Sequence, residues 1–180
     1  MSLPDSPRFI RLVMALSLAA LTGGCFQPLY GNSSVTGGNL VSDKMTMVEV
    51  AEIEVPKGTR LARVAVDVRN TLMFDMTGAG SAYRLDVKLS SGQYQVIVDI
   101  NSGRPDIQNY GIDASYTLTD LTTKKRVVSA STLARVSYNI PGQLQRFAGD
   151  RGLRDAEDRA AKEIAENIRA RLQSYFAAGT

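Results

Sequence analysis

Residues 110–138 read YGIDASYTLTDLTTKKRVVSASTLARVSY, and the alternation in this run decides the fold class. Tyr110, Ile112, Ala114, Tyr116 and Leu118 are separated by Asp113, Ser115, Thr117 and Thr119. A period of two places the apolar set on one face of a strand and the polar set on the other. Val128, Ala130, Thr132, Ala134, Val136 and Tyr138 repeat the pattern, and the polar stretch from Asp120 to Lys125 joins the two runs. The reading is an antiparallel hairpin with one dry face and one wet face. The dry face needs a cover.

The cover is legible further downstream, after Pro141-Gly142 ends the last strand. Leu153, Ala156, Ala160, Ile164, Ile168, Leu172 and Tyr175 keep helical spacing, with alanines that allow close approach to a sheet. Asp150 is the expected N-cap. Asp155 with Arg159, and Asp158 with Lys162, stand at the i,i+4 spacing of surface ion pairs. Asp155, Glu157 and Asp158, with basic neighbours, read as a solvated helix face.

Upstream, Tyr83, Leu85, Val87 and Leu89 form another alternating run. The apolar positions then become Tyr94, Val96, Val98 and Ile100, a change of parity that predicts a bulge or bend at Ser91-Gly92, or two strands. Asn101 to Pro105 reads as a turn. Before this region, Thr59 is a good N-cap for a helix carrying Leu61, Val64, Ala65, Val68 and Leu72 and ending near Met76. Arg63, Asp67 and Arg69 lie off its stripe. Met45 to Val55 reads as a strand, with Met45, Met47, Ala51, Ile53 and Val55 on one side. The order is β-α-β-β-β-α. The first strand-helix-strand unit should be a right-handed parallel crossover. The expected fold is α+β, with two helices packed on one face of a roughly four-stranded mixed sheet.

The first 24 residues have a different character. Arg8 and Arg11 precede the run LVMALSLAAL from Leu12 to Leu21, and Thr22, Gly23 and Gly24 follow. That is the layout of a secretory signal, and the run is shorter than the ~18–20 apolar residues of a membrane span. The single cysteine of the chain, Cys25, stands directly after it. Cleavage between Gly24 and Cys25, with diacylglyceryl on the thiol and acylation of the freed amine, would make this a bacterial lipoprotein. Thr22 occupies the place where the usual lipobox has Leu. Phe26 in place of Asp after the cysteine points to the outer membrane. One methylene contributes about 0.8 kcal/mol and a single chain holds marginally, so two or three chains anchor effectively for good.

The expected organisation is a removed signal at 1–24, a lipidated N-terminus and Gly/Ser/Asn-rich tether at 25–44, a folded domain at 45–176 and a frayed end at 177–180. Within the tether, Phe26-Gln-Pro-Leu-Tyr-Gly31 is apolar and aromatic and should dock on lipid or protein. After cleavage, 19 basic and 17 acidic residues remain. That near balance, without an arginine-rich arm, argues against nucleic acid as a partner.

Candidate chemistry is sparse. The chain has no histidine, and its cysteine is assigned to lipid. Most nucleophile-base pairs and common zinc sets are therefore excluded, and no cofactor is expected beyond the covalent lipid. Gly78-Ala-Gly80 lacks the following helix of a phosphate loop. Lys124, Lys125 and Arg126 fall at the hairpin tip. They have two readings: contact with phosphate or carboxylate groups of an anionic lipid, or a solvated turn that discourages edge pairing. Arg135, within the last strand, is a second candidate that either contacts lipid or simply faces water.

Taken together, these residues resemble the LptE family of lipopolysaccharide-assembly lipoproteins, in an alphaproteobacterial form. The resemblance rests on Cys25-Phe-Gln-Pro-Leu-Tyr-Gly31, on the segment from Val50 to Phe74, and on the last helix. In that helix it is carried by Arg154-Asp155-Ala156, Asp158-Arg159-Ala160-Ala161, Ile168, Arg171-Leu172 and Tyr175-Phe176. The glycine that normally follows the family's cysteine is missing here. The resemblance implies a lipoprotein on the periplasmic side of the outer membrane. It would plug the LptD β-barrel, assist its assembly and bind lipopolysaccharide, with Lys124, Lys125, Arg126 and Arg135 as candidate contacts. No enzyme activity is implied. Tyr30, Tyr110 and Tyr138 have two readings, interface aromatics or core. The competing readings are another envelope adaptor, such as a secretin pilot without lipopolysaccharide contact, and a carboxylate hydrolase needing two acids across a cleft.

Overall fold

A computed structural model describes residues 41–98, 105–139 and 146–178, which belong to one unit beginning at Val41. In chain order the elements are helix α1 (Val41–Thr46), strand β1 (Val48–Val50), helix α2 (Arg60–Met73), strands β2 (Tyr83–Val98), β3 (Pro105–Asp120) and β4 (Lys125–Asn139), and helix α3 (Arg146–Ala177). The sheet order is β1-β2-β3-β4. β1 and β2 are parallel, joined through α2, while β2-β3 and β3-β4 are antiparallel. The fold is the expected α+β arrangement with one additional short helix at its start.

The inward positions of β3 and β4 are those read from the alternation. Tyr110, Ile112, Ala114, Tyr116 and Leu118 are buried, as are Val128, Ala134, Val136 and Tyr138. Both helices complete the same core. α2 contributes Val64, Ala65, Val68 and Leu72, and α3 contributes Leu153, Ala156, Ala160, Ile164, Ile168, Leu172 and Phe176. Thr59 caps α2: its Oγ1 accepts from the Ala62 amide at 3.3 Å and donates to the Pro56 carbonyl at 2.7 Å. α2 stops at Met73 rather than Met76.

Several expectations need correction. The segment from Met45 to Val55 is not one strand. β1 ends after three residues: Val48 and Val50 face inward, and the chain leaves the sheet there, with Ala51 buried directly after Val50. The remaining stretch is irregular, although Ala51 and Ile53 still face inward and Glu52 and Glu54 outward. Residues 41–44 are the first part of α1 rather than tether, so the folded unit starts four residues before Met45. Its Met45 is buried against the core.

The parity change in β2 also has a different resolution. Pairing with β3 runs without interruption through Ser91 and Gly92, and the register shifts lie between Gln95 and Val98. Tyr94 does not turn inward; it lies on the outer face of the sheet and is 44% exposed. α3 begins at Arg146, so Asp150 is inside the helix rather than at its cap. Arg159 donates to Asp155 at 2.8 Å as expected, whereas Lys162 stands 3.9 Å from Glu166 rather than pairing with Asp158. Asn101–Arg104, Pro141 and Gly142 lie outside the described residues.

Candidate binding face of the sheet

Both longer helices pack on one side, so among the described residues the opposite side of β2-β3-β4 is open along most of its length. Register places its side chains in rows across the three strands. From the chain-entry end upward, these are Asp86-Thr117-Ser129, Lys88-Ser115-Ser131, Ser90-Asp113-Leu133, Gly92-Gly111-Arg135 and Tyr94-Asn109-Ser137. Six of these fifteen residues are serine or threonine and two are glycine, which leaves a shallow open trough of about 660 Å³ lined by Lys88, Ser90, Asp113, Ser115, Ser131 and Leu133. Leu133 is 53% exposed within it. A polar face of this kind tolerates water and suits hydrogen-bonding partners.

Arg135 sits at the upper end of the trough, and its surroundings are built for it. Its guanidinium carbon is 5.1 Å from the centre of the Tyr94 ring, a cation-π contact. At an exposed site such a contact contributes about 0.5–1 kcal/mol. The ring can lie down there only because two glycines are beneath it. A Cβ on Gly111 would stand 3.0 Å from Tyr94 Cε2, and one on Gly92 would stand 3.0 Å from the Tyr94 hydroxyl. Next to the ring, Ser137 Oγ and Asn109 Oδ1 are hydrogen-bonded at 2.6 Å. Arg135 is therefore held by an aromatic neighbour on a rigid strand.

Lys124, Lys125 and Arg126 do project at the β3-β4 turn, and all three are exposed. Asp120 organises this turn: its Oδ1 accepts from the amides of Thr122 at 2.7 Å and Thr123 at 3.1 Å. These bonds hold its carboxyl below the ordinary aspartate range. Lys124 has φ +56, a left-handed conformation usually left to glycine or asparagine. The turn and Arg135 are not one site. Arg126 and Arg135 are nine positions apart on β4, about 30 Å of strand. Gly24, Cys25 and Tyr30 lie outside the described residues.

The structure adds a polar cluster that the solvated-face reading of α3 missed. Glu157 is completely buried and ion-paired with Arg63, while Arg60 approaches its other oxygen at 3.7 Å. Its position could have been noticed: Glu157 precedes Ala161 by four residues and Ile164 by seven, which puts it on the buried stripe. Of the two readings open for Tyr110 and Tyr138, interface or core, the structure gives core. Burial raises the titration range of both phenols. Tyr138 donates to Gln108 Oε1 at 2.7 Å. Among the described residues there is no cluster of three or more metal-ligating side chains, and no helix is long and apolar enough to cross a membrane.

No protein-family model and no curated protein matches this chain. Solved structures do. A putative lipoprotein from Caulobacter crescentus is 20% identical, with a TM-score of 0.57 over 78% of this chain and 97% of that one. An uncharacterized lipoprotein B from Nitrosomonas europaea is 12% identical, with a TM-score of 0.55 over 75% of this chain and 90% of that one. At these identities the likeness concerns the fold, which is one that lipoproteins of the bacterial envelope adopt.

Proposed function

We propose that this chain is an LptE-type lipoprotein, acylated at Cys25 and held at the periplasmic side of the outer membrane. There it occupies the lumen of an LptD-like β-barrel, helps that barrel to assemble, and contacts lipopolysaccharide on its way to the outer leaflet. The observation that carries this reading is the uncovered outer face of β2-β3-β4. Barrel interiors are polar, and a face on which eight of fifteen positions are serine, threonine or glycine can lie against such a wall. Arg135, stacked on Tyr94, supplies a fixed cation for a sugar phosphate, and guanidinium geometry suits that group. The lipoprotein fold and the Cys25 to Gly31 segment support the same reading. The chemistry asked of the protein is binding and positioning, without a catalytic step.

Photocrosslinking in cells tests it. A photoreactive residue at Ser115, Ser131 or Arg135 should give adducts with one large barrel protein, and with lipopolysaccharide at Arg135. The same probe at Lys162, on the exposed side of α3, sets the comparison. Absence of any barrel adduct from the outer face, together with purification of the wild-type protein free of a barrel partner, would refute the proposal.

A further inference from the structure

The end of the molecule where the chain enters carries a surface that the sheet-face reading does not use. Four segments meet there. The Thr46 carbonyl accepts from the Ala79 amide at 2.9 Å, which ties α1 to the loop after α2. The Leu121 amide donates to the Ala82 carbonyl at 2.9 Å, which ties the β3-β4 turn to the same loop. Tyr83 and Phe176 stack edge to face at 5.2 Å, bringing in the end of α3. On this end stand Phe74, 87% exposed, and Met73 and Leu121, 39% and 38% exposed. Lys124, Lys125 and Arg126 project beside Leu121. Nearby acids are largely engaged: Asp75 accepts from Arg169 at 2.6 Å, and Asp120 holds the amides of its own turn. Asp43 and Glu49 are exposed and remain.

We infer that in the free lipoprotein, before a barrel encloses it, this end, Phe74 and Leu121 with Lys124, Lys125 and Arg126, rests on the anionic phospholipid surface into which the Cys25 chains insert. An exposed ring with adjacent basic side chains is the composition of an interfacial contact: the ring enters the headgroup boundary and the cations meet phosphates. The chain outside the described unit points to the same occupant. Cys25 precedes Val41 by sixteen residues, and Val41 opens the helix tied to this end. Each basic residue close to an anionic surface strengthens binding about fivefold (about 1 kcal/mol). An inserted phenyl ring adds roughly tenfold or more. Without acyl chains the whole patch should therefore bind with an association constant on the order of 10³–10⁴ M⁻¹, comparable to one myristoyl chain. This inference rests on the lipoprotein reading for its biological setting but not for its measurement.

The experiment uses residues 25–180 with Cys25→Ala, which contain the whole core from Met45 to Phe176. Flotation with vesicles of phosphatidylcholine and phosphatidylglycerol, about two to one, is compared with pure phosphatidylcholine. Binding should be confined to the anionic vesicles and weaken with salt. The Lys124→Gln, Lys125→Gln, Arg126→Gln triple variant should lose about a hundredfold, and Phe74→Ser about tenfold, with circular dichroism unchanged. Lys162→Gln, on the exposed side of α3, should bind like the parent. No binding to either vesicle overturns the inference, as does equal binding by the triple variant, or an equal loss with Lys162→Gln. A dimer that Phe74→Ser dissolves, without flotation, also overturns it and assigns the surface to a second copy. Because this chain has no acyl group and no barrel, failure here leaves the plug reading intact, and failure of the crosslinking leaves this one intact.

Discussion

Arg63→Met should be among the most destabilising single changes in the domain, although Arg63 is itself partly exposed. The reason is its partner. Glu157 has no exposed surface, and its ion pair with Arg63 is the main compensation for burying a carboxylate. Breaking a buried pair from one side typically costs 3–5 kcal/mol. Arg60 remains 3.7 Å from the carboxylate and is about half exposed, so it compensates in part, and the low end of the range applies. An expected loss of about 3 kcal/mol corresponds to a fall in melting temperature of roughly 10 °C for a domain of this size. Glu157→Met should cost less, because Arg63 can turn its guanidinium to water. The double variant, Arg63→Met with Glu157→Met, should return to within about 1 kcal/mol of the parent, since apolar side chains of similar volume replace a buried pair without large loss. Urea and thermal melts of the four proteins complete the cycle. A cost under about 1 kcal/mol for Arg63→Met, or a double variant worse than the sum of the singles, would refute the assignment of Glu157 as a buried charge held by Arg63.

Three further outcomes are expected. Gly111→Ala places a methyl 3.0 Å from a movable ring; stability should fall by less than about 1 kcal/mol, while the side-chain NMR shifts of Tyr94 and Arg135 change because the stack is displaced. Lys124→Gly relieves a left-handed lysine at φ +56 and should stabilise the hairpin by about 0.5–1 kcal/mol in thermal melts. Asp120 has a carboxyl held low by turn amides, so its contribution is complete above the ordinary aspartate pKa of about 4 and is lost as pH falls through the folded value; Asp120→Asn should flatten that part of the stability profile, and an unchanged profile would count against the turn bonds.

The strands that pack under α3 were legible because each is half wet: Tyr110 to Leu118 and Val128 to Tyr138 had to alternate, and they do. α2 was legible for the same reason, with Thr59 marking its start. The errors fall where local pattern and tertiary demand separate. Tyr94 signalled a flip because an aromatic residue is expected to seek the core, yet two glycines and an arginine give it a seat on the open face. Glu157 signalled water because it is charged, yet two arginines from α2 supply its counter-charge across the helix interface. The stretch from Met45 to Val55 contains two alternations out of phase, and only the sheet edge shows where the first one stops. Arg135 is legible on its strand, but its aromatic partner comes from β2, where the apolar parity points Tyr94 to the other face.

The parallel edge of the sheet has a consequence for the order of assembly. β2, β3 and β4 meet through consecutive hairpins, whereas Val48 must find Tyr83 across 35 residues of chain. Closing that longer loop costs more entropy before any contact rewards it, so it belongs late on the folding route. The short edge strand β1 is then the last to lock, after the hairpins of β2, β3 and β4 have matured. Pulse-labelling hydrogen exchange should find amides at 112–118 protected before those at 48–50.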